Sequence, residues 1–267
     1  MPTPAPVYGV DVRSDKLASK LMAREMPYRV ILPAAYANKP NDRFRAIYLL
    51  HGLFGRFDNW TDKTQIAEYA ADHNFIIITP EGGNGWYTDS ETVPNDKYES
   101  YIVKELIPEI DKKFRTVPDR EHRAIAGLSM GGYGAIKFGL KYPEMFSLVG
   151  SYSGAFDAPM RGVTVANTWP SIMSVYGSAG SETRKANDIF QMIRDGTSEK
   201  IKTLPFIYQS CGTEDFLFQT NRDFNTLLID KKISHEYRET PGEHTWTFWD
   251  EQVQEFLLVA DRKLSTK

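Results

Sequence analysis

Ala124-Ile125-Ala126-Gly127-Leu128-Ser129-Met130-Gly131-Gly132-Tyr133-Gly134 is the stretch on which the reading of this chain turns. A short apolar run enters Gly-x-Ser-x-Gly and a helix-compatible segment leaves it, the context of a nucleophile elbow. A serine hydroxyl is a poor nucleophile until a sharp strand-to-helix turn lifts it clear of the backbone. Gly127 and Gly131 lack the Cβ atoms that would collide as the chain doubles back, and Gly132 and Gly134 let the helix approach neighbouring strands. Ser129 then stands at the top of a sheet, with the backbone N–H of Met130 facing an incoming carbonyl oxygen. The pentapeptide alone arises by chance in roughly one chain in ten of this length, so its surroundings decide.

Upstream, Arg45-Ala46-Ile47-Tyr48-Leu49-Leu50 is a near-continuous apolar run, as a strand buried on both faces should be, and it ends at His51-Gly52-Leu53-Phe54-Gly55. Residues 75–79 read as the next buried strand, followed by a glycine-rich loop over 80–89. Residues 61–74 read as one helix with Ile66, Tyr69 and Ala70 on one face, and 97–115 as a long amphipathic helix kinked at Pro108. Nearer the N-terminus, 7–14 and 28–32 fit an antiparallel edge pair, joined to the rest by a surface connection over 33–43. Downstream of the elbow, a helix over 130–142 precedes a strand over 147–153. Periodicity then weakens across 154–203, apart from a helix around 186–194. Strands over 205–210 and 235–238 alternate with helices over 219–232 and 246–264. Such alternation implies an α/β fold, a mostly parallel central sheet with helices on both faces. We read residues 1–267 as a single domain, with 154–203 an insertion after the sixth or so strand that walls the substrate site.

The 267-residue length suits one large α/β domain. A net charge of -3 gives no electrostatic footprint for nucleic acid or an anionic membrane. The single cysteine, Cys211, rules out an internal disulfide and a Cys-rich zinc site, and reads as a small buried strand residue. The N-terminal residues lack the basic and apolar regions of a signal peptide, and no apolar run is long enough to span a bilayer. The expectation is a soluble cytoplasmic protein; a secreted protein with its signal removed would read the same.

In a parallel sheet the ligand sits outside the carboxyl ends of the strands. The glycines of His51-Gly52-Leu53-Phe54-Gly55 would let the N–H of Leu53 or Phe54 point into the site as a second oxyanion donor. Ser129 needs a base, and five histidines are available. His51 belongs to the oxyanion loop, His73 ends a helix, and His122 and His235 lie in or beside strands. His244, in Pro241-Gly242-Glu243-His244-Thr245-Trp246 between the last strand and the last helix, can reach over the sheet. The orienting carboxylate belongs in Cys211-Gly212-Thr213-Glu214-Asp215; Asp215 is preferred for its shorter side chain, and Glu214 stays open. The order Ser129, Asp215, His244 is that of α/β-hydrolases. Trp60, Trp86, Tyr87 and Trp169 are candidates for the substrate wall, whereas Trp246 and Trp249, at helical spacing, read as core.

Taken together, Leu50-His51-Gly52-Leu53-Phe54-Gly55, the Asn59-Trp60 pair, Gly127 to Gly132, Cys211 to Asp215 and Gly242-Glu243-His244-Thr245-Trp246 resemble the esterase D family. That family includes S-formylglutathione hydrolases, tributyrin esterases, feruloyl and acetyl-xylan esterases and the antigen 85 mycolyltransferases. The resemblance runs from about Arg24 to the last helix. It implies an α/β-hydrolase fold, Ser129 as nucleophile, Asp215 as acid, His244 as base, and the N–H groups of Leu53 and Met130 as the oxyanion hole. It also implies a serine carboxylesterase for short acyl or aryl esters, including acylated saccharides, working without metal or cofactor. An acyltransferase of the mycolyl type would share the triad. The elbow lacks the His before Ser that formylglutathione hydrolases tend to show, and the chain lacks their cysteine pattern. A non-catalytic binding protein is disfavoured because all three triad residue types are present, and a serine peptidase because those usually carry a further N-terminal domain.

Overall fold

The computed structural model describes residues 9–164 and 169–265. Eight strands form one sheet: β1 (Asp11–Ser19), β2 (Arg24–Leu32), β3 (Arg45–Leu50), β4 (Phe75–Pro80), β5 (Arg123–Leu128), β6 (Leu148–Tyr152), β7 (Phe206–Gly212) and β8 (His235–Thr240). Their order is β1-β2-β4-β3-β5-β6-β7-β8. β2 runs antiparallel to both β1 and β4, and every other neighbouring pair is parallel. This is the α/β-hydrolase architecture.

The two-residue period of the central strands sorts their side chains onto two faces. Ala46, Tyr48 and Leu50 of β3 join Ile76 and Ile78 of β4 in one core, which the helices Ile107–Lys113, Met130–Lys141 and Phe218–Asp230 cover. Ile47 and Leu49 join Phe75 and Ile77 in the other, beneath the closing helix Trp246–Lys263. Both strands are buried throughout except at Arg45, which is why their sequences lack polar alternation. The two edges are guarded by charge: β1 carries Asp11, Arg13, Asp15 and Lys16, and β8 carries Glu236, Arg238 and Glu239.

Several boundaries depart from the sequence reading. β1 begins at Asp11 and runs to Ser19; Val7 and Tyr8 of the expected strand lie outside the described residues. Of the expected edge pair only β1 lies at an edge, because β2 pairs on both sides. Pro27 fits inside β2 because it lies beyond the Tyr28–Ile31 stretch that bonds to β4. The 33–43 connection includes a short helix, Ala35–Asn38.

The expected helix over 61–74 is three pieces: Asn59–Lys63, Ile66–Tyr69 and a 3-10 turn Ala70–Asp72. The break is at Thr64, which is extended; the next N–H, of Gln65, donates to Asp250 of the closing helix at 2.8 Å. The 97–115 segment is Tyr98–Tyr101, a π-helical stretch Ile102–Leu106, and Ile107–Lys113. The widened turn comes just before Pro108, which has no N–H for a regular α bond. Among the described residues between β6 and β7 stand a 3-10 turn, Ala158–Met160, and four short α-helices, Ile172–Tyr176, Glu182–Lys185, Ile189–Arg194 and Ser198–Thr203, where one helix was expected. Ser181, Asp188 and Thr197 start the last three by accepting backbone N–H bonds on their side chains.

Candidate active site

Ser129 joins β5 to the Met130–Lys141 helix with φ 52° and ψ -116°, a strained conformation for a residue with a side chain. Its neighbours hold it there: Ser129 N–H donates to the Tyr152 carbonyl at 2.9 Å, and its own carbonyl accepts from Tyr133 at 3.0 Å and Ala155 at 3.1 Å. A Cβ on Gly127 would come within 2.6 Å of the Gly131 carbonyl, and one on Gly131 within 2.5 Å of the Leu50 carbonyl. The turn therefore requires glycine at both positions. Gly134 admits the ring of Tyr87, from the loop after β4, where a neighbouring strand was expected. Phe54, Trp86, Tyr87 and Ser153, all in loops at strand ends, likewise have positive φ.

His244 lies between β8 and the closing helix, as expected. Its Nε2 is 3.0 Å from Ser129 Oγ, and its Nδ1 is 2.9 and 3.1 Å from the two Asp215 oxygens. An ionised carboxylate only accepts, so the proton belongs on Nδ1 and the lone pair of Nε2 faces the serine hydroxyl. Burial pushes the Asp215 carboxyl up, but the hydrogen bond and charge of His244 and the Leu217 N–H outweigh it, so the net displacement is below the ordinary carboxylate range. Glu214, the alternative carboxylate, is exposed and faces elsewhere: it accepts from Gly242 N–H at 2.5 Å and from the Thr213 hydroxyl at 2.7 Å. It ties the loop of His244 to the end of β7.

Of the two candidate oxyanion donors in the loop after β3, Phe54 N–H is committed to Asn84 Oδ1 at 2.8 Å. Leu53 N–H has no acceptor among the described residues, and Met130 N–H, first in its helix, has no intrahelical partner. Leu53, Ser129 and His244 line one cleft of about 360 Å³. The other histidines have structural partners: His51 Nδ1 meets the Gly52 carbonyl, His73 pairs with Asp261, His122 with Asp119, and His235 with Asn225. Cys211 is buried in β7, and burial pushes its thiol up, far from thiolate character.

The aromatic assignments need correction. Trp60 is fully buried beneath the site, donating Nε1–H to the Leu50 carbonyl at 3.2 Å, and Tyr87 is fully buried with its hydroxyl on the His51 carbonyl at 3.1 Å. Neither forms the wall. Trp86 and Trp169 do, stacked with ring centroids 5.3 Å apart. Trp246 and Trp249, read as core, also line the cleft, and the Trp249 ring meets His244 edge-on at 4.8 Å. Phe216 was missed: it is 66% exposed, with its ring 4.6 Å from that of His244. Its position directly after Asp215 was the available signal.

A family model described as "Putative esterase" matches residues 19–258. The chain belongs to this esterase family. It is 30% identical over 250 residues to an acetyl esterase of Caldicellulosiruptor saccharolyticus, covering 88% of this chain and 92% of that one. Among solved structures, a ferulic acid esterase superposes with a TM-score of 0.84 at 26% identity, covering 95% of this chain and 98% of that one. FphF, a fluorophosphonate-binding serine hydrolase of Staphylococcus aureus, gives a TM-score of 0.84 at 25% identity, with 94% and 98% covered. This esterase is therefore a carboxylic ester hydrolase. Among the described residues no helix is long and apolar enough to cross a membrane.

Proposed function

We propose that this esterase hydrolyses short-chain acyl or aryl esters, including those of acylated saccharides, through a Ser129–His244–Asp215 triad and an acyl-enzyme. The observation that carries this reading is the hydrogen-bonded row itself: His244 lies 3.0 Å from the Ser129 hydroxyl and 2.9 Å from the Asp215 carboxylate. His244 Nε2 takes the hydroxyl proton as Ser129 Oγ bonds to the ester carbonyl carbon. The carbonyl oxygen becomes an oxyanion facing the N–H groups of Leu53 and Met130, each worth about 3 kcal/mol of barrier. Collapse breaks the bond to the alcohol oxygen, which leaves with the proton from His244. Water then gives a proton to His244 as its oxygen bonds to the acyl carbon, and collapse breaks the bond to Ser129 Oγ, which takes that proton back from His244 as the acid is released. Asp215 keeps the imidazole in the required tautomer and balances its charge while it is protonated.

Aromatic residues among the cleft lining, Trp86, Trp169, Phe216, Trp246 and Trp249, favour acyl groups that are small or planar. The names of the similar acetyl and ferulic acid esterases point the same way. The test is the rate of p-nitrophenol release from acetate, butyrate and octanoate esters, followed by hydrolysis of methyl ferulate. We expect acetate or butyrate to be turned over fastest and octanoate least. Fastest turnover of octanoate would contradict the short-acyl reading.

A further inference from the structure

Where a leaving group must lie follows from where its proton comes from. On the reading above, the departing oxygen takes its proton from His244 Nε2, so the alcohol half of the ester sits beside that imidazole. The rings there are Phe216, 4.6 Å from His244, and Trp249, 4.8 Å from it, with Trp246 edge-on to Trp249 at 5.3 Å. Beyond them Lys63 Nζ lies 5.2 Å from the centre of the Trp246 ring. Phe216, Trp246 and Lys63 all line the cleft, and no Asp or Glu does.

Lys63 forms no ion pair among the described residues. Two carboxylates on the elements that carry Lys63 and Trp246 are engaged elsewhere. Asp62 pairs with Arg29 at 2.6 Å, and Asp250 accepts from Gln65 N–H and the Tyr69 hydroxyl, each at 2.8 Å. Arg161, beside the cleft-lining Trp169, is committed: it pairs with Asp157 at 3.0 Å and lies 3.6 Å over the Trp169 ring. An exposed ammonium with no ion pair among the described residues, beside the half-buried ring of Trp246, is a local arrangement that a ligand can complete.

We propose that Trp246 and Lys63 form a leaving-group subsite for an alcohol that carries a ring and a carboxylate, the ring packing on Trp246 and the anion pairing with Lys63. This rests on the triad reading, which fixes the direction of departure. It is tested with 4-acetoxybenzoate against its neutral methyl ester, and with methyl 3-O-acetylglucuronoside against the corresponding glucoside. Each kcat/KM is divided by the ester's rate of alkaline hydrolysis. At low salt the acid of at least one pair is preferred by about fivefold, mostly through KM. Lys63→Met brings that preference to about one, Lys63→Glu reverses it, and 0.5 M NaCl erodes it. Which pair responds tells whether the ring is aryl or sugar. No preference in either pair, or one that survives in Lys63→Met, overturns the subsite while leaving the triad standing. Failure to hydrolyse any of the four esters, or p-nitrophenyl acetate, overturns both.

Discussion

Asp215 and Glu214 are adjacent carboxylates in different surroundings. Asp215 is buried, with both oxygens on His244 Nδ1, whereas Glu214 lies exposed on Gly242 N–H. Asp215→Asn places an amide where a pure acceptor is needed and allows the wrong imidazole tautomer; kcat should fall by about a thousandfold or more. Glu214→Gln keeps an acceptor for Gly242 and should cost less than about tenfold. Comparable losses in steady-state assays of the two variants would show that the acid has been misassigned. Gly131→Ala puts a Cβ 2.5 Å from the Leu50 carbonyl and 2.6 Å from that of His51, backbone atoms that cannot swing aside. We expect about 1–3 kcal/mol of destabilisation by urea unfolding together with loss of activity, and an unchanged midpoint would contradict the packing argument. Ser129 and His244, the proposed nucleophile and base, were legible because each sits in a local motif, whereas Asp215 was only preferred over Glu214 for its shorter side chain, and it is the carboxylate that the structure brings to His244. Trp60 and Tyr87 were not: sequence marks them as loop aromatics but does not say which side of a loop turns inward. That depends on acceptors such as the Leu50 and His51 carbonyls, far off in the chain or fixed by the turn.

The loop between β4 and the Tyr98–Tyr101 helix shows how elements co-operate. Its Trp86 and Tyr87 both have positive φ, and the fully buried ammonium of Lys137, two turns beyond Ser129, donates to the Tyr87 carbonyl at 2.5 Å and the Thr88 hydroxyl at 2.7 Å. Tyr87 in turn donates its hydroxyl to the His51 carbonyl, two residues before Leu53. The elbow helix thus holds the loop, and the loop holds the strand end that carries the Leu53 N–H. Tyr87→Phe should lower kcat by about tenfold with little change in KM, because a slightly displaced donor weakens binding of the transition state more than of the ester. Equal kcat per active site, titrated with a fluorophosphonate, would confine Tyr87 to packing. At this scale the buried strands were the easiest part to read, since β3 and β5 are apolar runs with no competing helical period. The helix breaks were harder. Thr64–Gln65 interrupts an otherwise helical pattern because the partner of Gln65 is Asp250, 185 positions away. The capping residues Ser181, Asp188 and Thr197 did mark helix starts, but the segments behind them are too short to show a period.

Across the whole molecule, the loops after β3, β5, β7 and β8 meet at the carboxyl edge of the sheet, so a site built from residues 53 to 244 needs the full strand order before it exists. The Tyr98–Tyr101 helix is tied to the Met130–Lys141 helix by a buried charge cluster: Glu99 accepts from Lys137 at 2.9 Å, Lys141 at 2.5 Å and the Tyr142 hydroxyl at 2.8 Å. Burial alone would raise the Glu99 carboxyl, but the charges of Lys137 and Lys141 hold it at about 2, below its ordinary 4.5. Between those two values the unfolded chain binds a proton that the folded one does not. The stabilisation from Glu99 is therefore complete above about pH 4.5 and is lost as pH falls toward 2. Glu99→Gln should be less stable at pH 7 and show a shallower decline in urea midpoint from pH 4.5 to 2; an identical decline would remove Glu99 from the acid sensitivity. The central claim, that Ser129 is activated by His244 to form an acyl-enzyme, is tested most directly by intact-mass analysis after treatment with a fluorophosphonate, run beside p-nitrophenyl acetate turnover. We predict one covalent adduct, mapped to Ser129, with loss of turnover in step with labelling, and neither adduct nor turnover above about a thousandth of wild type in Ser129→Ala. Labelling at another residue, or turnover that persists in Ser129→Ala, would contradict the account.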